Sequence, residues 1–342
     1  MQKRRRRSAF QPGAARKLSL AAACALLSFA LSACTGLTFS GDAGSSGEAG
    51  AAFDLSELQD TEEDEAQMAA EIIEDFSPTP DALDAVPEGF ESFSLTELES
   101  PEISEEELAA IQEAVDAIEE VGEVGFVFYD LDTGFGLSYN ADESIYGASS
   151  FKAHYALYLC EDLEEGGLAE LTSTDESLVE SAILYSDNDA YSTLRNEYDS
   201  VDFDSWVTGV GADDAVIVEG SHYPWYCARS SAKLWTEMYL YLQSGSDDAQ
   251  WLKGLLSNTT TSFLRDAISD TGAEVWNKAG WCAGSVHMYD STTDAGIVEI
   301  DGETYILCIM TSMPYSDSAV ALYGDLASAV FEVRDSLTLE AL

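Results

Sequence analysis

Residues 147–159 read GASSFKAHYALYL. The run is apolar and aromatic almost throughout, yet it carries Lys152. Lysine is scarce in this chain. After residue 34 there are four, Lys152, Lys233, Lys253 and Lys278, among 64 acidic residues. A helix through AHYALYLC is apolar on nearly every face, and such a helix is buried. If it starts at Ser149, then Ser149 and Lys152 stand at i and i+3 on one face, with Cβ atoms about 5–6 Å apart. A serine hydroxyl is a weak nucleophile until a neighbouring base takes its proton. A lysine becomes that base when burial disfavours its ammonium form. The helix N-terminus adds free backbone N–H groups and partial positive charge beside the hydroxyl.

Ser149-Ser150-Phe151-Lys152 spells S-x-x-K, but so does Ser230-Ser231-Ala232-Lys233. The second match has a simpler reading. Ser230 or Ser231 caps the amphipathic helix KLWTEMYLYL (233–242), and Lys233 faces solvent. Position along the chain has to separate the two.

Working outward, helix signals at 104–118 begin with Ser104-Glu105-Glu106-Glu107, a capping box, and continue with Leu108, Ile111, Val115 and Ile118 at helical spacing. VGFVFYD (124–130) and FGLSY (135–139) flank LDTG, a strand–turn–strand signal. The middle of the chain, 149–275, reads mostly helical. EVWNKAGW (274–281), AGIVEI (295–300) and TYILCIM (304–310) are rich in strand formers, and Asp301-Gly302 is a two-residue hairpin turn. A closing helix carries Val320, Tyr323, Leu326, Val330 and Val333 on one stripe. The expected fold is mixed α/β (α+β). A five-stranded antiparallel sheet is flanked by the terminal helices, and the insert forms an all-helical lobe. A site is expected in the cleft between sheet and lobe.

The ends differ from this part. MQKRRRRSAFQPGAARK is basic, and LSLAAACALLSFALSA (18–33) is an apolar run closed by small residues, the pattern of a secretory signal and too short for a spanning helix. Leu31-Ser32-Ala33-Cys34 resembles the lipobox of bacterial lipoproteins, which implies lipidation of Cys34, export, and a membrane tether. The alternative is an ordinary cleaved signal followed by a chance cysteine. Seven of the 15 Lys and Arg precede residue 35. The remainder holds eight bases against all 64 acids, which argues against nucleic acid or an anionic membrane surface as a partner. Residues 35–102 contain 19 acids, no base and four of the seven prolines, and read as a disordered acidic linker with a transient helix over 63–76. The domain division is therefore 1–34 signal, 35–102 linker and 103–342 folded domain, acting as a monomer. Four cysteines follow Cys34, namely Cys160, Cys227, Cys282 and Cys308. With no C-x-x-C and no histidine pair, neither a metal nor another cofactor is expected. His154 reads as a core residue of the central helix.

Two further motifs decide between the S-x-x-K matches. Ser186-Asp187-Asn188 lies 37 residues after Ser149, and Lys278-Ala279-Gly280 lies 129 residues after it. Taken alone, the first is a turn or helix cap and Lys278 a solvated strand lysine. Together and in this order, with VGFVFYDLDTGFGLSYNADESIYGASSFK leading in, they resemble the serine β-lactamase and penicillin-binding protein superfamily, specifically its class A β-lactamase-like branch. The resemblance spans about residues 120–335. It implies that Ser149 is acylated, that Lys152 accepts its proton, and that Ser186 relays a proton to the leaving nitrogen. It implies that Asn188 binds the substrate's side-chain amide, Asp187 holds the loop, and Lys278 faces the substrate carboxylate. The N–H groups of Ser149 and Trp281 would form the oxyanion hole, with Gly280 beside them.

The pattern breaks twice. Ala279 stands where the family usually has Thr or Ser, which removes a hydroxyl toward the substrate carboxylate. The family's Glu-x-x-Leu-Asn loop is also absent. GADDAVIVEGSHYPWYCARSSAKLW (211–235) offers only Glu219 as a deacylating base, and in so acidic a chain Glu219 reads more simply as a surface acid. The resemblance further suggests a Cys227–Cys282 disulfide pinning the loop to the strand, with Cys160 and Cys308 as buried thiols. Three functions follow. The first is hydrolysis of a β-lactam or related amide. The second is a cell-wall D-alanyl peptidase or acyltransferase like the penicillin-binding proteins. The third is a non-catalytic surface binding module.

Overall fold

The structure, a computed structural model, describes residues 66–164, 171–198, 200–217 and 222–339. Its frame is a seven-stranded antiparallel sheet. The strands are β1 (Glu91–Ser94), β2 (Val124–Asp130), β3 (Phe135–Tyr139), β6 (Glu274–Asn277), β7 (Gly280–Cys282), β8 (Ser291–Ile300) and β9 (Glu303–Thr311). They run in the order β1-β3-β2-β9-β8-β6, and β7 pairs along β8 beyond the end of β6. A separate two-stranded ribbon joins β4 (Ile145–Tyr146) to β5 (Trp225–Tyr226). At the β8–β9 hairpin Asp301 and Gly302 both have positive φ, 54° and 95°, as the tight primed turn requires.

β2 explains the layering. All seven of its residues are buried, so both sheet faces are covered and alternation gives way to a continuous apolar run. Successive side chains still point to opposite faces. Phe126 and Phe128 pack with helix α1 (Glu105–Glu119) and helix α9 (Asp317–Glu332), in the cluster of Ile111, Val115, Val330 and Phe331. Val127 and Tyr129 pack on the other side with helix α6 (Ala228–Leu242), and the Tyr129 and Thr236 hydroxyls share a 2.6 Å hydrogen bond. The expected capping box of α1 is formed: Glu107 N donates to Ser104 Oγ, and Ser104 N donates to the Glu107 carboxylate.

The helical lobe gathers around α2 (Lys152–Glu164), with α3 (Ser173–Leu184), α4 (Asn188–Glu197), α5 (Ser200–Val210) and α7 (Asp247–Ser257). Every residue from Ser150 to Cys160 is buried. Phe203 of α5 touches Phe151, Tyr155 and Tyr158 with ring centroids 5.0–5.5 Å apart. His154 lies in this core between Phe151 and Trp235, and burial pushes its imidazole pKa down to about 3, so it stays neutral.

Three expectations need correction. The 35–102 segment is not a disordered linker throughout. Residues 66–75 are helical, Pro80–Ala85 forms a 3₁₀ turn, and β1 pairs with β3. Leu83, Val86 and Phe93 are buried. Three apolar side chains spaced over ten residues disappear in an average dominated by acids, although each buries enough area to anchor chain. The second correction is Lys233, which is buried rather than solvent-facing. Its ammonium pairs with Asp84 and donates to Gly211 O at 2.9 Å. Arg229 donates to the carbonyls of Leu83 and Val86 and pairs with Asp142. Two of the few bases of the chain thus clamp the acidic 80–86 segment onto α6. The helix cap there is Cys227, whose Sγ accepts from Ser230 N, in place of the serine expected. Third, the sheet has seven strands where five were expected: β1 is added, and the single strand expected at 274–281 is broken at Lys278-Ala279 into β6 and β7.

Candidate active site

The candidate site is built where the Ser149 turn, the α3–α4 loop and the β6–β7 break meet. Ala148–Phe151 is a 3₁₀ turn that runs straight into α2. Ala148 has φ 45°, a left-handed conformation unusual for a side chain larger than glycine's and typical of functional turns. Ser150 Oγ donates to Gly147 O at 2.7 Å and bonds Tyr226 Oη at 2.9 Å, so Ser150 is tied inward and Ser149 is left half-buried. Gly280 explains how close β7 comes. A Cβ there would lie 2.4 Å from Gly147 O, 2.5 Å from Ser150 N and 3.0 Å from Ser149 N, so only glycine lets the strand backbone rest against the Ser149 turn. Trp281 follows on β7, opposite Thr292 of β8.

Lys152 is 1% exposed. Its ammonium donates to Ser186 O at 2.6 Å and to Asn188 Oδ1 at 2.8 Å. Burial, then the positive charge of Lys278, push its pKa down to about 7 against the opposing pull of Asp187. Near neutrality an appreciable fraction of Lys152 is therefore neutral and able to take a proton. The α3–α4 loop is held by Asp187, whose carboxylate accepts from Asp189 N at 2.8 Å and Ala190 N at 2.9 Å as the N-cap of α4. Ser186 sits at φ 58°, which turns its carbonyl to Lys152 and its hydroxyl to Lys278. Lys278 Nζ donates to Ser186 Oγ at 2.9 Å and to Ala279 O at 2.8 Å. Its pKa is pushed down to about 8 by burial, with Asp294 opposing. Ser186 thus bridges the two lysines, and its hydroxyl is placed to pass a proton along.

Ser149, Lys152, Ser186, Asn188, Lys278, Gly280 and Trp281 come together. Ala279 is fully buried in the apolar cluster under the strand and adds no polar group to the cleft. Trp281 packs on Phe263 and Tyr315, its ring 5.6 Å from the Lys278 ammonium. Glu219 and Cys34 lie outside the described residues. The expected Cys227–Cys282 disulfide is not formed: both cysteines are thiols. Cys227 is turned into the N-terminus of α6 beside Asp142, whereas Cys282 ends β7. Among the described residues no group of His, Cys, Asp and Glu could hold a metal.

Two residues of the site carry no sequence motif. Asp294 is fully buried beneath Lys278. Its carboxylate accepts from Phe263 N at 2.9 Å, Leu264 N at 3.0 Å and Asn277 Nδ2 at 2.7–2.8 Å, and burial raises its pKa to about 6 against these bonds. A lone acid beside the apolar run AGIVEI was its only signal. Tyr223, in the loop before β5, donates its hydroxyl to Asn188 Oδ1 at 2.8 Å.

The model of the "Beta-lactamase enzyme family" matches residues 107–174 and 169–333. Among solved structures, the chain superimposes on "Structure of PBP-A" with a TM-score of 0.57 at 18% identity, covering 66% of this chain and 96% of that one. It superimposes on a β-lactamase from Chitinophaga pinensis DSM 2588 with a TM-score of 0.58 at 17% identity, covering 68% and 100%. A third is the TLA-3 extended-spectrum β-lactamase, at 0.57 and 14% identity, covering 67% and 99%. At these identities the likeness shows the fold. No curated protein matches the chain.

Proposed function

Because the chain belongs to the β-lactamase enzyme family, we propose that it opens a β-lactam or related amide through an acyl-enzyme on Ser149. The observation that carries this reading is the pair of buried lysines joined through Ser186, one on its carbonyl and one on its hydroxyl. Neutral Lys152 takes the Ser149 proton as Oγ attacks the amide carbonyl carbon. The N–H groups of Ser149 and Trp281 hold the oxyanion; one such donor is worth about 10²–10³ in rate. As the C–N bond breaks, Ser186 gives its proton to the leaving nitrogen and regains one from the Lys278 side. Asn188 and Lys278 bind the substrate's amide and carboxylate, and Glu219 is the proposed base for hydrolysis of the ester.

A second reading is a penicillin-binding-protein-like acyltransferase with a long-lived acyl-enzyme. It is favoured by Tyr223, since among the described residues a phenol and not a carboxylate bonds Asn188. Incubation with a chromogenic cephalosporin and a fluorescent penicillin separates the two. Turnover supports hydrolysis, and a stable adduct supports the second reading. Absence of any label in wild type would reject acylation and leave a binding module.

The pH profile of acylation follows from the two lysines. Lys152 works when neutral, so the rate rises with pH through about 7. Lys278 works when charged, so the rate falls as pH passes about 8. A bell peaking between these values is expected from labelling rates at constant ionic strength. A rate that keeps climbing well above pH 8 would contradict the Lys278 assignment.

We also propose that the protein is exported and held at the membrane by a lipid on Cys34, motivated by the signal-like run and Leu31-Ser32-Ala33-Cys34. Cys34→Ala should then move from the detergent phase to the aqueous phase on detergent partition. Unchanged partition would reject the anchor.

A further inference from the structure

Tyr223 stands against two groups of the Ser149 centre, Asn188 and Lys152. Its hydroxyl donates to Asn188 Oδ1 at 2.8 Å, the oxygen that also takes a hydrogen bond from Lys152 at 2.8 Å. The ring is fixed on two sides. It stacks on Tyr191 with centroids 5.3 Å apart and planes at 19°, and it meets Tyr146 edge-on at 6.2 Å. Tyr191 is itself buried and donates to His222 O at 3.1 Å. The Lys152 ammonium lies 5.7 Å from the centroid of each stacked ring.

We propose that Tyr223 is a positioning residue of the Ser149 centre, whose phenol shares Asn188 Oδ1 with Lys152 and so sets how strongly that oxygen holds the Lys152 ammonium. The proposal rests on the acyl-enzyme reading above. Burial holds the phenol well above its ordinary pKa, so Tyr223 acts as a neutral donor and never as the base. In the attack the Ser149 proton passes to Lys152 Nζ, and Tyr223 keeps its own proton throughout. Two donors on one carboxamide oxygen compete. Removing the phenol proton leaves Asn188 Oδ1 wholly to Lys152 and favours its ammonium form. The charged groups facing Lys152, Lys278 from the β6–β7 break and Asp187 from the start of α4, are untouched by that change.

Tyr223→Phe in the purified full-length protein tests this, because it keeps the ring stack and deletes only the hydroxyl. Labelling by a fluorescent penicillin is expected to slow about fivefold, the loss of one ordinary hydrogen bond. The acid limb of the rate profile is expected to move to higher pH, with the melting temperature unchanged. Wild-type labelling rate and limb in Tyr223→Phe would overturn the proposal. So would slower labelling with an unmoved limb and a lowered melting temperature, which is the mark of packing alone. A wild-type protein that takes no label rejects the acylation reading itself, a result distinct from an indifferent Tyr223→Phe.

Discussion

Lys152→Ala is expected to slow acylation of Ser149 by about 10²–10⁴-fold, the range supplied by a positioned general base. Lys152 is buried, its two donor bonds hold it beside the nucleophile turn, and its pKa is pushed down to about 7. Deleting it removes the proton acceptor and also frees Ser186 O and Asn188 Oδ1 from their shared donor. Lys152→Arg separates these effects. A guanidinium keeps the positive charge and the donors, but it does not release a proton in the working range. Both variants should therefore be slow in a time course of adduct formation. A fast Lys152→Arg would mean that charge, not basicity, is what the site requires.

Asp294→Asn is expected to cost about 3–5 kcal/mol of stability, as does breaking a buried, hydrogen-bonded charge, and to lower the melting temperature on the order of 10 °C. The carboxylate collects two backbone N–H groups at the start of helix α8 (Phe263–Ala267) and the Asn277 amide. An amide nitrogen in its place would face donors with a donor. The same change acts on chemistry. The negative charge of Asp294 supports the Lys278 ammonium, so its loss should move the alkaline limb of the acylation profile to lower pH. Thermal melts and labelling rates on one preparation check both effects. An unmoved limb would confine Asp294 to a structural role.

The sheet was legible because its strands carry strong local signals: VGFVFYD is apolar enough for a strand covered on both faces, and Asp301-Gly302 specifies its own turn. The candidate site's grouping of Ser149, Lys152, Ser186, Asn188 and Lys278 was legible because three short motifs keep their order along the chain. What local pattern could not show depends on distant partners. Lys233 looked solvent-facing because its acid, Asp84, lies 149 residues earlier. The 80–94 segment looked unstructured because its acidity hides Leu83, Val86 and Phe93. Tyr223 bonds a side chain 35 residues away, in a loop without a turn or cap signature to mark it. The disulfide expected from Cys227 and Cys282 failed for the same reason: which way each thiol turns is set by the helix or strand end that carries it.

The most direct test of the central claim is peptide mapping after labelling with penicillin. The chain holds two S-x-x-K motifs with a buried lysine, Ser149–Lys152 and Ser230–Lys233. The mass of the adduct should appear on the peptide containing Ser149 and vanish in Ser149→Ala. Label on the peptide containing Ser230 and Ser231, or label that survives Ser149→Ala, would contradict it.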